Sequence, residues 1–504
     1  MCRKLKGVCA ALCVIFIALP AGLPGEQKSP LAALEENVRT KTLHNGATVI
    51  AYNRGYSPTL ALTISFKVGS VDESYRTAGA AHMLEHMLFK GTDKIGTKDY
   101  AREKKILDQI EKIGDGIDRL KMSNPADRRI SPLEKQLKKL QDEAAKYIVS
   151  SPYDSIYTSI GAVGFNASTS RDRTSYYIEL PASRLETWAE LESERLRNPV
   201  MREFYQERRT VVEERLMRYD SKGVESLVER FIATAFMAHP YRHPVIGWAS
   251  NVGFLSLRDV RAFYNEHYIP SLMTITVVGK QNPDNTIAVV EKYFGTLPAR
   301  NEKNAIIVTE PRSRGERRFE MQFDANPYII IGWNKPTYPS RDDYICDIVA
   351  ALLADGKTSR LYRALVLQKQ LAASVDAWNG FPGARYDNLF VIAAAPKHPH
   401  TAQEVEQAVY EEIARLKVDL TQSEIRKVVN KAESSMVFDL DSNRGLANTL
   451  GYYQTVFGDW RYVARYLAEI ETVTVQDVYG VLDRYFTKQN RTVGVLVSRP
   501  DAKK

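Results

Sequence analysis

An α+β fold of two related αβ halves is predicted by three features of this 504-residue sequence. Strand and helix periodicities are mixed along residues 34–297. A proline-bearing, charge-rich segment at 298–314 then reads as a linker. Beyond it, over residues 315–504, the same kinds of pattern recur.

Taken in order, the chain starts with Arg3, Lys4 and Lys6, an apolar run from Val8 to Leu19, and Pro20-Ala21-Gly22. This is the pattern of a secretory signal peptide over residues 1–22, with an uncleaved anchor as the other reading. An exported chain, periplasmic or secreted, is expected, with no membrane span after signal removal. Three of the four cysteines leave with the segment, so only Cys346, in an apolar helical pattern, remains and a disulfide framework is excluded. The segment also takes three basic residues with it, lowering the formal charge from +8 to +5. That small, scattered surplus gives no reason to expect a nucleic-acid partner.

Leu43 to Ile50 contains Asn45-Gly46, a hairpin-turn dipeptide, and Thr59 to Val68 is a second strand pattern. Helical periods follow from Gly79, and Ile275 to Gly279 reads as a buried strand. Between Ala101 and Ile148 two apolar seams appear: Ile106, Ile110, Ile113, Ile117 and Leu120, then Leu133, Leu137, Leu140, Ala144 and Tyr147. Asn124-Pro125 separates them, and Ser131-Pro132-Leu133-Glu134 carries a capping-box signature. An inserted antiparallel helical hairpin is expected, with Gly114 and Gly116 weakening its first helix. Its 12 basic and 9 acidic residues are interleaved, which favours packing over a charged nucleic-acid arm. In the second half Tyr328 to Trp333 and Thr492 to Val497 read as strands, and Asp342 to Leu353 as a helix.

The strongest chemical signal is His82-Met83-Leu84-Glu85-His86. Histidines four apart on a helix project from one face and reach one metal ion, and Glu85 on the same turn can take a proton from water. A third ligand is needed, and Glu207 and Glu214, seven apart on one helical face, offer a ligand and a carboxylate to hold a histidine. His239 and His243 share the spacing of the first pair, but Pro240 and Pro244 forbid the helix that would align them. His398 and His400, among prolines, read as a polar loop.

The run Gly69 to Glu73, followed by Gly79 to Thr92 around the two histidines, resembles the pitrilysin/insulinase family of inverted zincins. Within it the chain is most similar to the short, mitochondrial-processing-peptidase-like bacterial branch. The resemblance implies two homologous αβ domains, each an antiparallel sheet with packed helices, forming a bowl-like half of a peptidase chamber, and a zinc endopeptidase acting on unfolded peptides. It assigns His82, His86 and Glu214 as Zn2+ ligands, Glu85 as general base and Glu207 as supporting carboxylate, with Glu213 the competing third ligand. The 127 residues between His86 and Glu214 exceed the family spacing by about the length of the hairpin, an insertion that loop entropy tolerates. Asn166-Ala167-Ser168 resembles the family's substrate-binding edge strand, to which a peptide adds by main-chain hydrogen bonds.

Active members also carry an arginine and, seven residues later, a tyrosine in the second half or in a partner. Here Val366 and Ala373 stand in that register. The resemblance therefore implies the zinc-bearing subunit of a heterodimer whose homologous partner lacks zinc and supplies the pair, a homodimer being the other arrangement. The alternatives are a non-catalytic core-type structural subunit and a peptide-binding homologue.

Overall fold

The computed structural model describes residue 34 and residues 36–55, 57–300 and 308–499. The signal-peptide segment 1–22 and the middle of the linker, 301–307, lie outside the described residues. The first half builds a sheet from β1 (Val38–Thr42), β2 (Thr48–Asn53), β3 (Thr59–Phe66), β4 (Val163–Thr169), β5 (Thr174–Pro181) and β6 (Met273–Gly279). Their spatial order is β1-β2-β6-β3-β5-β4. The second half uses β7 (Arg317–Phe323), β8 (Tyr328–Lys335), β9 (Ala372–Phe381), β10 (Asn388–Pro396) and β11 (Arg491–Ser498), in the order β7-β11-β8-β10-β9. The two orders match strand for strand once β1 is set aside. Each sheet is antiparallel except at one pair, β2 with β6 and β7 with β11. In both, the closing strand returns after a run of helices, the kind of crossover a parallel neighbour requires.

The Asn-Gly turn joins β1 to β2. Gly46 sits at φ +96°, where a side chain is strained, and Asn45 Nδ2 donates to the carbonyls of Phe294 and Leu297 at 2.9 and 3.1 Å. The turn thereby also caps the helix Pro283–Phe294.

Alternation along the central strands divides two cores. Leu60, Leu62, Ile64 and Phe66 of β3 join the main core of the first half, while Ile50, Ala61 and Val278 face the other way. That second face is covered by Leu446, Ala447 and Leu450 of the helix Asn443–Phe457, which belongs to the second half. The exchange is mutual. Ile330, Val391 and Leu496 of the second sheet pack against Leu227, Phe231 and Ala235 of the helix Gly223–Ala235, from the first half. Each sheet is thus buried on both faces, which is why its central strands read as nearly continuous apolar runs.

The expected hairpin is formed by the helices Tyr100–Ser123 and Ile130–Ala144. Ile106, Ile110, Ile117, Leu137 and Ala144 are buried along the seam. Two local expectations fail. The second helix starts at Ile130, with no side-chain cap, so Pro132 falls inside the first turn and the Ser131 box does not form. Asp127 explains the earlier start: it accepts the backbone N–H of Arg129 at 2.8 Å and pairs with its guanidinium. The first helix, meanwhile, runs unbroken through Gly114 and Gly116. Gly114 has a packing role, because a β-carbon there would stand 2.1 Å from the Tyr205 ring.

Candidate metal centre

The histidine helix, Ala80–Met87, buries Ala80, Ala81, Met83, Leu84 and Met87, leaving His82, Glu85 and His86 on its half-buried face. Its start is fixed by Gly79 at φ +98° and by the buried Glu73 carboxylate, which accepts the N–H groups of Gly79 and Ala81 at 2.9 and 2.8 Å. The facing helix, Phe204–Arg215, carries Glu207, Val211 and Glu214 on one side. Val211 is fully buried, and Arg215 anchors the far end through Glu229 at 2.8 Å and the Gly247 carbonyl at 2.7 Å.

These two helices bring His82, His86 and Glu214 together, with one donor atom of each within 4.8 Å of the others. Glu214 Oε2 lies 3.9 Å from His82 Nε2 and 3.7 Å from His86 Nε2. Ligands about 2.1 Å from a tetrahedral ion stand about 3.4 Å apart, so a small contraction would close the set around one ion. Two imidazoles and a carboxylate suit a catalytic zinc, which takes three protein ligands, and the residues fit that group. Among the described residues no other such group occurs. Glu213, one residue before Glu214, is exposed and stands outside it.

The surrounding charges define roles. His86 Nδ1 donates to Glu207 Oε1 at 2.9 Å, which fixes the tautomer that leaves Nε2 free for a metal. Glu207 Oε2 also takes Lys90 at 2.6 Å, and Lys90 reaches Glu203 at 3.3 Å. Burial works against charge on Glu207, but these hydrogen bonds hold its pKa at about 2. Burial likewise opposes charge on His86, yet the hydrogen bond and charge of Glu207, aided by Glu85 and Glu214, raise its pKa. His82 behaves oppositely. Burial, with His86 and Arg218 nearby, lowers it to about 3, so it stays neutral; its Nδ1 is buried without a partner. Glu85 is pushed up by burial, although the Thr169 hydroxyl donates to its Oε2. A base raised toward neutrality accepts a proton more readily at physiological pH.

Thr169 ends β4, the last strand of its sheet, whose outer side meets no other strand among the described residues. Asn166 and Ser168 are exposed on it and Ala167 is buried, paired with Tyr177, Ser175 and Tyr176 of β5 respectively. A cleft of about 530 Å³ opens beside the site, lined by Glu85, His86, Phe89, Lys90, Asn166 and the segment 148–152 among others.

Two family models match the chain. Residues 48–117 and 150–248 match Insulinase (Peptidase family M16), and residues 255–432 match the Peptidase M16 inactive domain. The chain belongs to the M16 peptidase family. It is 26% identical to the zinc protease PqqE of Helicobacter pylori over 488 residues, covering 95% of this chain and 96% of that one. It is 22% identical to a probable mitochondrial-processing peptidase subunit beta of Arabidopsis thaliana, covering 92% and 80% of the two chains. Among solved structures, a protease from Helicobacter pylori matches with a TM-score of 0.75 and 25% identity, over 91% of this chain and 99% of that one. The M16 model passes over residues 118–149, most of the hairpin.

The second half keeps the M16 topology with other chemistry. In it the helix Arg341–Ala354 follows β8 as the histidine helix follows β3, and Asp343 and Asp347 repeat the four-residue spacing. The Lys335 ammonium pairs with Asp343, and Asn379 Nδ2 donates to both aspartates, at 3.1 and 2.9 Å. Val366 packs against the second core and Ala373 is exposed at the start of β9, so neither side chain donates a hydrogen bond. His239 is buried among Phe236, Tyr241 and Tyr386, and His243 accepts Trp248 Nε1 at 3.2 Å. Lys90, Thr169, Glu73 and Arg218, which sits 3.0 Å from Glu214, have roles that sequence spacing did not show. The first three lie within or beside the motif blocks; Glu73 acts locally on Gly79 and Ala81, whereas Lys90 and Thr169 act only across a fold contact.

Proposed function

We propose that the chain is an exported zinc endopeptidase that hydrolyses unfolded oligopeptides. The observation that carries this reading is the junction of Glu85 with Thr169. It joins the acid–base residue of the histidine helix to the edge strand that would hold a peptide. An extended substrate adds to β4 through main-chain hydrogen bonds, with Asn166, Ala167 and Ser168 beside it, and its scissile bond comes to lie near Glu85. When held by His82, His86 and Glu214, zinc supplies Lewis acidity toward a carbonyl oxygen and a lowered pKa for water. Glu85 accepts the proton of the attacking water and delivers it to the departing amine. Glu207 keeps His86 in the ligating tautomer, and Lys90 keeps Glu207 charged. Closure of the cleft around an extended chain restricts substrates to unfolded peptides.

Val366 and Ala373 support a further step: the chain is the zinc-bearing subunit of a heterodimer whose homologous partner contributes an arginine and a tyrosine. The segment at residues 1–22 supports export to the periplasm or beyond. No helix among the described residues is long and apolar enough to cross a membrane.

Cleavage of a quenched oligopeptide library tests the reading, with the chain alone and with a zinc-lacking homologue from the same source. Chelator-sensitive cleavage is expected, strongest in the mixture, and Glu85→Gln should retain zinc while losing about 10²–10⁴-fold in turnover. Undiminished turnover in Glu85→Gln would remove the role given to Glu85. A chain that takes up no zinc would favour the non-catalytic subunit.

A further inference from the structure

We propose that the inserted hairpin is a brace for the metal centre, with Asp118 and Arg208 as its positioning residues. The inference rests on the zinc reading above. The helix Phe204–Arg215 carries both the ligand Glu214 and the histidine-holding Glu207, so any shift of this one body moves both carboxylates together. Its inward side meets the histidine helix. Its other side is docked on the hairpin.

Three contacts make the dock. Arg208, adjacent to Glu207, grips Asp118 through two guanidinium nitrogens at 2.6 and 2.9 Å. Both side chains are about nine-tenths buried, at 11% and 9% exposure, where a bidentate pair is strong and directional. Tyr205 lays its ring over Gly114, a place no larger residue would leave open, and its hydroxyl donates to Asp115 at 3.0 Å. Gln206 accepts from Gln141 of the second hairpin helix at 3.0 Å. Contacts at 205, 206 and 208 thus flank Glu207 and fix both the rotation and the height of the helix. The family model passes over residues 118–149, so the Asp118 and Gln141 contacts are features of the longer chain, while Gly114 and Asp115 lie within the matched stretch. Outer supports of metal ligands typically contribute 10–100-fold to affinity.

The test compares zinc affinity of the intact chain by chelator competition, together with the visible spectrum of its cobalt-loaded form. Asp118→Asn keeps the shape and removes the charge; an affinity loss of at least about tenfold and a shifted cobalt spectrum are expected. Asp118→Glu should recover part of both. Lys138→Ala, which breaks an exposed hairpin pair with Asp142, should change neither. Wild-type affinity and spectrum in a folded Asp118→Asn chain would overturn the brace. If that variant does not fold, Tyr205→Phe decides: a severalfold loss supports the brace, and none overturns it. Should the unaltered chain bind no zinc, the zinc reading itself fails, an outcome distinct from equal binding by chain and variant.

Discussion

Glu207 shows how closely the site depends on single contacts. It accepts from His86 and from Lys90 at once, and lies where a neutral amide could satisfy only part of that pattern. Glu207→Gln should lower zinc affinity by about 10–100-fold with the fold intact, measured by competition with a chelating dye. Zinc binding should also depend on pH in a definite direction. His82 is held neutral, at about 3, whereas the raised pKa of His86 means that a proton must leave before Nε2 can bind metal. Affinity should therefore fall as pH drops through the raised value, with proton release on binding seen by calorimetry in buffers of different ionisation enthalpy. For the chain stripped of metal the stability linkage has the reverse sense. The His86–Glu207 pair stabilises the fold below the ordinary histidine pKa and is lost as pH rises through the raised one.

Among the elements, the hairpin seams, the Asn-Gly turn and the central strands were legible because burial imposes a strict period on them. Helix starts were less so. Asp127 reaches back to hold Arg129, a local hydrogen bond that outcompetes the capping pattern at Ser131. Gly114 was misjudged for a different reason: its value lies in the Tyr205 ring, 91 residues away in sequence. This reverses the usual expectation for a helical glycine. Gly114→Ala ordinarily gains up to about 1 kcal/mol of helix propensity. Here overpacking against a buried ring should outweigh it and cost about 1–3 kcal/mol, read from denaturant midpoints. A gain in stability would mean that the ring yields freely. The histidine ligands were legible because both lie on one helix turn, whereas Glu214 was preferred to Glu213 through the family resemblance, and the facing helix supplies the geometric reason.

For the whole molecule, the recurrence of patterns revealed two halves but not that they exchange covering helices. Nothing in the period of Gly223–Ala235 says which sheet it will cover, since its apolar face suits either. The exchange has a thermodynamic consequence. Removing residues 308–499 would expose Ile50, Ala61 and Val278 on the first sheet, a continuous apolar face. The two halves should therefore unfold in one cooperative transition, and a fragment ending at residue 297 should associate or bind hydrophobic dyes rather than behave as a stable monomer. Two separate calorimetric transitions would contradict this. In the second half the helix Arg341–Ala354 carries the Asp343–Lys335 pair in place of histidines, and the one candidate group for an ion among the described residues predicts one ion per chain. X-ray diffraction from crystals of the zinc-loaded chain, recorded on both sides of the zinc absorption edge, tests that claim most directly. One anomalous peak bounded by His82, His86 and Glu214 is predicted; no peak there, or a peak elsewhere with these residues unengaged, would contradict it.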